Sequence, residues 1–461
     1  MMGSIGLVLF SIWLPWVYYG DTKERGSVSF GSWIPVLWVF VYGSRPVTEW
    51  FTQPMAGSVQ ASAYDEGNPI EAVISLLLII GGLAILTQRR VRVSWLVRDN
   101  LWLLVFYLFW LLSASWSDYP VITIKRLIKD LGNVVMVLVV LSDREPVMAM
   151  KAVLVRVAYV CIPMSVLLVR YYPDLGRTYT GYNLNEVMWV GVATHKNTLG
   201  VLAFAGALFL LWDLLDYWSK TTKQVSTFVL ASRILVLLMC WYLLTIANSA
   251  TSLVCAVVGS LLLIVLNLHS LNRSPRMIEG IGIGGASLFL ILDSSLGLKE
   301  LIVVDLLGRD LTLTTRTDVW PILIGFQDNP LLGAGFNTFW AGERLARLHQ
   351  EVATIVQAHN GYLETYLNGG LIGVGLLLIL LASTYLRIRE RLLLKQPGAS
   401  MRLIVLITAI IYNNSEASFN KVGIMWFVTL YALMDYRAQV HPRSTSVQKR
   451  IQRPVLTERP A

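Results

Sequence analysis

Apolar residues along this chain come in long unbroken runs rather than in stripes. Residues 70–86, 101–112, 153–169, 199–215, 234–246, 253–268 and 371–381 are the clearest of them. In hydrocarbon only a helix satisfies its backbone groups within one segment, so each span needs roughly 20 mostly apolar residues. Several runs reach that length only with their weakly polar flanks, and counting them all predicts about 12 or 13 spans. The predicted fold class is all-α: a polytopic membrane helical bundle with one long structured external loop. The expected organisation is N-terminal spans over 1–65, a transmembrane core over 66–293, the long loop over 294–360, C-terminal spans over 361–436 and a basic tail over 437–461.

Composition strengthens this picture. Of 461 residues 55% are hydrophobic and 15% charged, against about 25% charged in soluble domains. Met1 to Phe10 contains no basic residue, so the first apolar stretch is expected to be a span and not a cleavable signal. Cys161, Cys240 and Cys255 all fall inside apolar runs. They read as small core residues, implying neither a disulfide framework nor a metal site.

The net charge of +9 is unevenly spread. Basic clusters occur at Arg89, Arg90, Arg92 and Arg98, at Lys220 and Lys223, at Arg273 and Arg276, and from Arg387 to Arg402; the tail from Arg437 is basic too. The positive-inside rule places these short loops in the cytoplasm. The alternating loops are then external, from about residue 70 onward, while the side of the N-terminus stays open. A charge pattern set by topology gives no reason to expect nucleic-acid binding.

Three external segments break the rule. Ser117-Asp118-Tyr119-Pro120 precedes Lys125, Arg126 and Lys129; residues 171–198 contain Arg177, His195 and Lys196; the long loop holds Arg309, Arg316, Arg344, Arg347, His349 and His359. Arg344 and Arg347 fit one face of an amphipathic helix, with Asp310, Asp318, Glu343 and Glu351 available for pairing. For the rest, snorkelling to headgroups competes with a sharper reading, a polyanion bound at the outer membrane boundary. Arginine suits a phosphate or pyrophosphate because its planar fork donates two parallel hydrogen bonds. Phe336, Phe339 and Trp340 are expected as aromatic anchors in the membrane interface. His359 sits where the chain re-enters the membrane, with Glu364 about one turn on. A histidine there is either a hydrogen-bonded structural residue or a base able to take a hydroxyl proton near neutral pH.

Four elements then resemble the O-antigen ligase and polymerase superfamily. Residues 193–200, Ala-Thr-His-Lys-Asn-Thr-Leu-Gly, are similar to its His-Lys-Asn-x-Leu-Gly signature. Gly308-Arg309-Asp310 with 313–320 resembles its Gly-Arg-Asp…Thr-x-Arg-Thr-x-x-Trp element. Asn329-Pro330-Leu331-Leu332-Gly333-x-Gly335 matches its Asn-Pro turn, and Ala358-His359-Asn360 with Gly369, Gly370 and Gly373 its closing element. The resemblance covers about residues 70–435, and 113–141 look closest to the exopolysaccharide-production branch. The N-terminal segment over 1–65 adds little to it.

The resemblance implies a metal-independent, inverting glycosyltransferase of the bacterial inner membrane, with its active site facing the periplasm. Its donor would be a glycan on undecaprenyl pyrophosphate; its acceptor would be a hydroxyl of lipid A-core for a ligase, or of a growing polysaccharide for a polymerase. It implies no cofactor. The elements matched by His359 and Arg316 carry the catalytic residues of the family. Topology adds Arg309, Lys125, Arg126, Arg177, His195 and Lys196 as expected pyrophosphate-binding residues. Ligase and polymerase are not distinguished. A lipid-linked oligosaccharide flippase or polysaccharide transporter is the main alternative and a non-enzymatic export scaffold the third. Transporters place ionisable groups near the midplane, whereas most charges here are expected near span ends; Asp213 and Asp216 are exceptions that fall near a cytoplasmic end.

Overall fold

The computed structural model describes residues 2–51, 68–179, 187–219, 226–267, 316–352 and 355–436. The chain is a helical bundle running back and forth between two ends. In order come α1 (Met2–Glu24), α2 (Trp33–Gly43), α3 (Pro69–Gln88), α4 (Val93–Asp99), α5 (Leu101–Leu112), α6 (Pro120–Leu141) and α7 (Pro146–Tyr171). A small antiparallel pair follows, β1 (Arg177–Tyr179) and β2 (Val187–Trp189), with Thr178 opposite Met188. Then come α8 (Lys196–Ser219), α9 (Thr227–Ile246), α10 (Ala250–Asn267), α11 (Arg316–Gly325), α12 (Gly342–Glu351), α13 (Gly361–Leu393), α14 (Ala399–Tyr412) and α15 (Ile424–Leu433).

Among the described residues seven helices (α1, α3, α7, α8, α9, α10 and α13) are long and apolar enough to cross a membrane. Four shorter apolar helices, containing α2, α5, α14 and α15, have 10–17 residues. At 1.5 Å per residue such a helix falls short of a core about 30 Å thick unless its flanks contribute. The 22-residue α6 is long enough but carries Lys125, Arg126, Lys129 and Asp130. The expected 12 or 13 spans are therefore reached among the described residues only by counting α6 and the four short helices, and residues 268–315 lie outside the described residues. This is a multi-pass helical membrane protein. Helices α7 and α8 form its buried centre, packed on each other and on α1, α9 and α10, while α1 and α3 turn most of their surface outward.

The N-terminal segment is more integral than its sequence indicates. Gly3 packs against Tyr171 and Tyr172, so α1 begins at the end where α7 finishes. The last turns of α1 bring Asp21, Glu24 and Arg25 into the bundle. There Arg25 meets Asp21 (2.7 Å) and Asp213 (2.5 Å), Arg156 meets Asp21 (2.9 Å), Arg233 meets Glu24 (2.7 Å) and Lys151 meets Asp216 (3.1 Å). Charges expected near span ends thus reach well into the bundle, since Arg156 lies near the middle of α7. They are tolerated because each cation is desolvated against a carboxylate.

Residues 316–352 and 355–360 fold around a core of Leu323, Phe339, Trp340, Leu345, Leu348 and Ala358, shared with Leu367 of α13. The aromatic residues expected in the membrane interface are instead buried: Phe336 and Phe339 are 0% exposed and Trp340 1%. The Asn-Pro turn explains why. Its backbone docks into a break in α13, with Gly335 N donating to Asn368 O (2.8 Å) and Leu371 N to Pro330 O (2.8 Å). Gly370 takes φ +59° at that break and Gly333 takes φ +71°; a Cβ on either would lie 2.3 Å from the facing backbone. Only glycine fits both the left-handed conformation and the approach. Two of the signature elements are therefore the two halves of one joint, which fastens the long loop to the helix that begins after His359.

Candidate functional site

The joint fixes α13, and the start of α13 fixes His359. Asn360 is the N-cap, its side-chain oxygen accepting from Tyr362 N and Leu363 N (both 3.0 Å), as a short amide acceptor does at an open helix end. Glu364, buried one turn in, reaches back to accept from Ala358 N (3.1 Å) and from Trp340 Nε1 (2.8 Å). Trp320 on α11 donates Nε1 to Ala358 O (3.0 Å). His359 itself has φ +51°, a region sparsely used by side-chain-bearing residues and frequent at functional sites. Asn337 (φ +55°) and Asn420 (φ +59°) share that conformation, and Asn337 Nδ2 donates to Asn420 O (2.8 Å).

The turn between α14 and α15 supplies the groups facing His359. Asn413 closes it, its Oδ1 accepting from Ser418 N (2.8 Å) and Phe419 N (3.1 Å), while Gly361 N donates to Asn413 O (2.8 Å). This presents Glu416, 5% exposed, to the imidazole. Glu416 Oε2 lies 3.2 Å from His359 Nδ1, and Glu416 Oε1 accepts from Asn197 Nδ2 at 2.7 Å. Asn197 belongs to the 193–200 element, so Glu416 joins two signature elements that stand far apart in the chain. Gln357 Nε2 lies almost equally close to both ring nitrogens of His359, 3.2 Å from Nδ1 and 3.3 Å from Nε2. Lys421, from the same turn, meets Glu364 Oε1 at 2.9 Å and Gln357 Oε1 at 3.5 Å.

The expected site residues divide. Arg126 is drawn to this rim, donating to Asn337 O. His195 accepts from Asn197 N at Nδ1 (3.2 Å) just before α8, and Lys196 is the first residue of α8. Arg316 opens α11, the helix tied through Trp320 to the residue before His359. Arg309 lies outside the described residues. Lys125 is exposed on α6. Arg177 serves the β1–β2 pair, tying it to α7 by donating to Val169 O (3.0 Å) and stacking on Trp189 at 4.4 Å. Arg45, buried beyond any expected role, pins the 191–193 loop by donating to Gly191 O (2.7 Å) and Leu175 O (2.6 Å). Burial lowers the Arg45 pKa from its ordinary value, opposed by Glu49.

Glu416 and Lys421 are the site residues that sequence reading missed. The sequence offers only a faint sign of them, a carboxylate and an amine in the short segment from Asn413 to Lys421 between two apolar stretches. No group of three or more His, Cys, Asp or Glu side chains among the described residues is placed to hold a metal ion. Chemically, the rim offers an imidazole backed by a carboxylate, with cations on two sides.

Comparison with known proteins agrees with the motifs. Residues 234–378 match the family described as O-antigen ligase, a stretch that includes Arg316 and His359. The chain is also 25% identical over 331 residues to the exopolysaccharide production protein ExoQ of Rhizobium meliloti (strain 1021), covering 68% of this chain and 70% of that protein. The resemblance to the O-antigen ligase superfamily, on its exopolysaccharide-production side, holds beyond the short motifs that first suggested it.

Proposed function

We propose that this protein is a metal-independent, inverting glycosyltransferase of surface-polysaccharide biosynthesis in the bacterial inner membrane. It moves a glycan from undecaprenyl pyrophosphate to a hydroxyl on the periplasmic face. The observation that carries the reading is the Asn197–Glu416–His359 chain, which sets a carboxylate behind an imidazole where the superfamily's closing element lies. With Nδ1–H donating to Glu416, the other ring nitrogen keeps its lone pair for a proton.

The acceptor oxygen attacks the anomeric carbon as the bond to the pyrophosphate oxygen breaks, and the electron pair leaves with the pyrophosphate. The hydroxyl proton passes to His359 Nε2. Glu416 holds the ring and offsets the positive charge it gains, the part a third group plays in orienting any base. Arg316 and Arg309, with Arg126, His195 and Lys196 in support, stabilise the charge that develops on the leaving group. One displacement inverts the anomeric centre. Likeness to ExoQ favours a growing polysaccharide as acceptor over lipid A-core.

The test is transfer by purified protein in liposomes given an undecaprenyl-pyrophosphate oligosaccharide and no nucleotide sugar. Lengthened lipid-linked chains are expected, whereas transfer only on adding lipid A-core would make it a ligase. Labelled donor crossing the bilayer unconsumed would overturn the reading in favour of a flippase. In the same assay Arg316→Lys should lose activity by about 10-fold or more, because an ammonium cannot replace two parallel bonds worth about 1.5–3 kcal/mol each.

A further inference from the structure

We propose that the cavity between the start of α7 and the α13–α14 loop binds the phosphodiester head group of an anionic phospholipid. It lies at the end of the bundle opposite His359, and it does not depend on the reaction proposed above. Helix α13 begins beside His359 and ends at this cavity, whose volume is about 610 Å³. The first turns of α7 and α14 and the last turns of α8, α10 and α13 enclose it. By the positive-inside rule this end faces the cytoplasm.

Charge is the first observation. Arg144 and Lys395 line the cavity from two different loops, and both are exposed. Neither side chain meets a carboxylate among the described residues. Basic residues that only signal topology have no need to converge on one cavity. Deeper in, Lys151 meets Asp216 at 3.1 Å and lies over the Trp212 ring at 4.3 Å, so that acid is already answered. Arg144, Lys151 and Lys395 against Glu145 and Asp216 leave the described lining one positive charge in excess.

The backbone adds donors of the same sense. Val147 and Met148 are the second and third residues of α7, Ser400 and Met401 those of α14, and all four line the cavity. N–H groups at these positions have no acceptor within their helix. Neither N-cap, Glu145 or Gly398, offers a side-chain acceptor in its place. Two helix N-termini therefore share one cavity with two unpaired cations, a combination that suits a phosphate.

The remaining wall favours a lipid over a soluble anion. Leu263 and Leu266 of α10 and Leu392 of α13 form it, and Leu261, Ile264, Leu393 and Leu394 beside them are exposed. In a membrane-spanning chain such residues face acyl chains, so a lipid can seat its head group here without leaving the bilayer. Basic pockets between membrane helices on the side of the basic loops take anionic head groups in this way. One excess positive charge matches the single negative charge of phosphatidylglycerol.

The experiment titrates phosphatidylglycerol, and separately phosphatidylethanolamine, into the delipidated full chain in detergent and counts bound lipid by native mass spectrometry. One phosphatidylglycerol is expected to bind ahead of any others and in preference to phosphatidylethanolamine. Arg144→Gln with Lys395→Gln should weaken that first binding by about 10–30-fold, the loss of two cations at a membrane surface. Arg90→Gln with Arg98→Gln removes the same charge from exposed residues outside the lining, and should change it by less than about 3-fold. Ser400→Glu separates binding from folding. A carboxylate in the first turn suits α14, so thermal unfolding should hold or rise while the lipid is repelled. Equal losses in the two double variants would overturn the proposal, as would equal binding of the two lipids or undiminished binding to Ser400→Glu. Displacement of the lipid by an equal concentration of inorganic phosphate would overturn it in favour of a soluble anion.

Discussion

The molecule places two charged clusters at opposite ends of the bundle, and they are built differently. In one, Asp21, Glu24, Asp213 and Asp216 are matched by Arg25, Lys151, Arg156 and Arg233. Nearly all are buried, and the ion pairs close on one another across α1, α7, α8 and α9. In the other, around His359, two direct acid–base pairs, Glu416 with His359 and Glu364 with Lys421, are flanked by amides: Asn197 stands against Glu416, and Gln357 stands between His359 and Lys421. His359 and Lys421 each keep 27% of the side chain exposed. A closed network uses its charge to hold helices together, whereas the open one holds its acids rigid and leaves its bases reachable. The contrast also bears on the transporter alternative. Ionisable groups inside a membrane normally mark a transport path, but a network whose charges cancel within itself has a sufficient reason in assembly.

The largest effect that would test this contrast is on folding. Asp21→Asn leaves Arg25 and Arg156 short of a buried carboxylate, and breaking such a pair from one side costs about 3–5 kcal/mol. The expected outcome is loss of monodisperse protein in detergent or a large fall in the unfolding midpoint, with whatever folds still catalysing at a normal rate per molecule. Normal stability would mean that the network is not what anchors α1.

At the other end the effect should move from folding to rate. His359→Ala removes a partly exposed side chain from a left-handed position, so unfolding should change little. Transfer should fall by about 10²–10⁴-fold, the usual contribution of a general base. Full transfer by a stable variant would sink the assignment. Glu416→Gln keeps the shape and a hydrogen bond but removes the charge behind the ring. Transfer should drop by about 10–100-fold, as when the outer partner of a functional histidine is lost, while donor affinity stays within a few-fold. A fall in donor affinity with no change in rate would make Glu416 a binding residue instead.

Legibility in the sequence followed the same divide. The helices were readable because hydrocarbon demands apolar runs, and His359 because a histidine before Asn-Gly at a span mouth is conspicuous. The burial of Phe339 and Trp340 was not, since an aromatic residue near a membrane reads equally as an anchor or as a core. Only the docking of 329–335 into the break at Gly370 decides between the two. Glu416 and Lys421 were hidden for a related reason. Their meaning comes from partners remote in sequence, Asn197 and His359 for the one and Glu364 for the other, contacts that no periodicity announces. The ion network was invisible because a single arginine in an apolar run reveals nothing of which carboxylate will meet it.

The smallest test lies within one helix and repeats the contrast between closed and open charge. Arg344 and Arg347 are one turn apart on α12, and by sequence they fit one amphipathic face. Only Arg344 is buried. Its Nη2 donates to Asp118 and Asp328, each at 2.8 Å, and its guanidinium lies over Phe339 at 5.5 Å. It thereby clips together the α5–α6 turn, the Asn-Pro turn and α12, whereas Arg347 is exposed. Arg344→Ala should destabilise by about 1–2 kcal/mol, chiefly through the lost packing of a buried side chain, since Asp118 and Asp328 are themselves exposed and return to water. Arg347→Ala should stay within about 0.5 kcal/mol, as exposed substitutions do. Thermal unfolding of the two variants side by side measures the difference directly. Equal effects would mean that the clip does not bear on the stability of the loop, and that the joint at Gly333 and Gly370 holds it against α13 without help from Arg344.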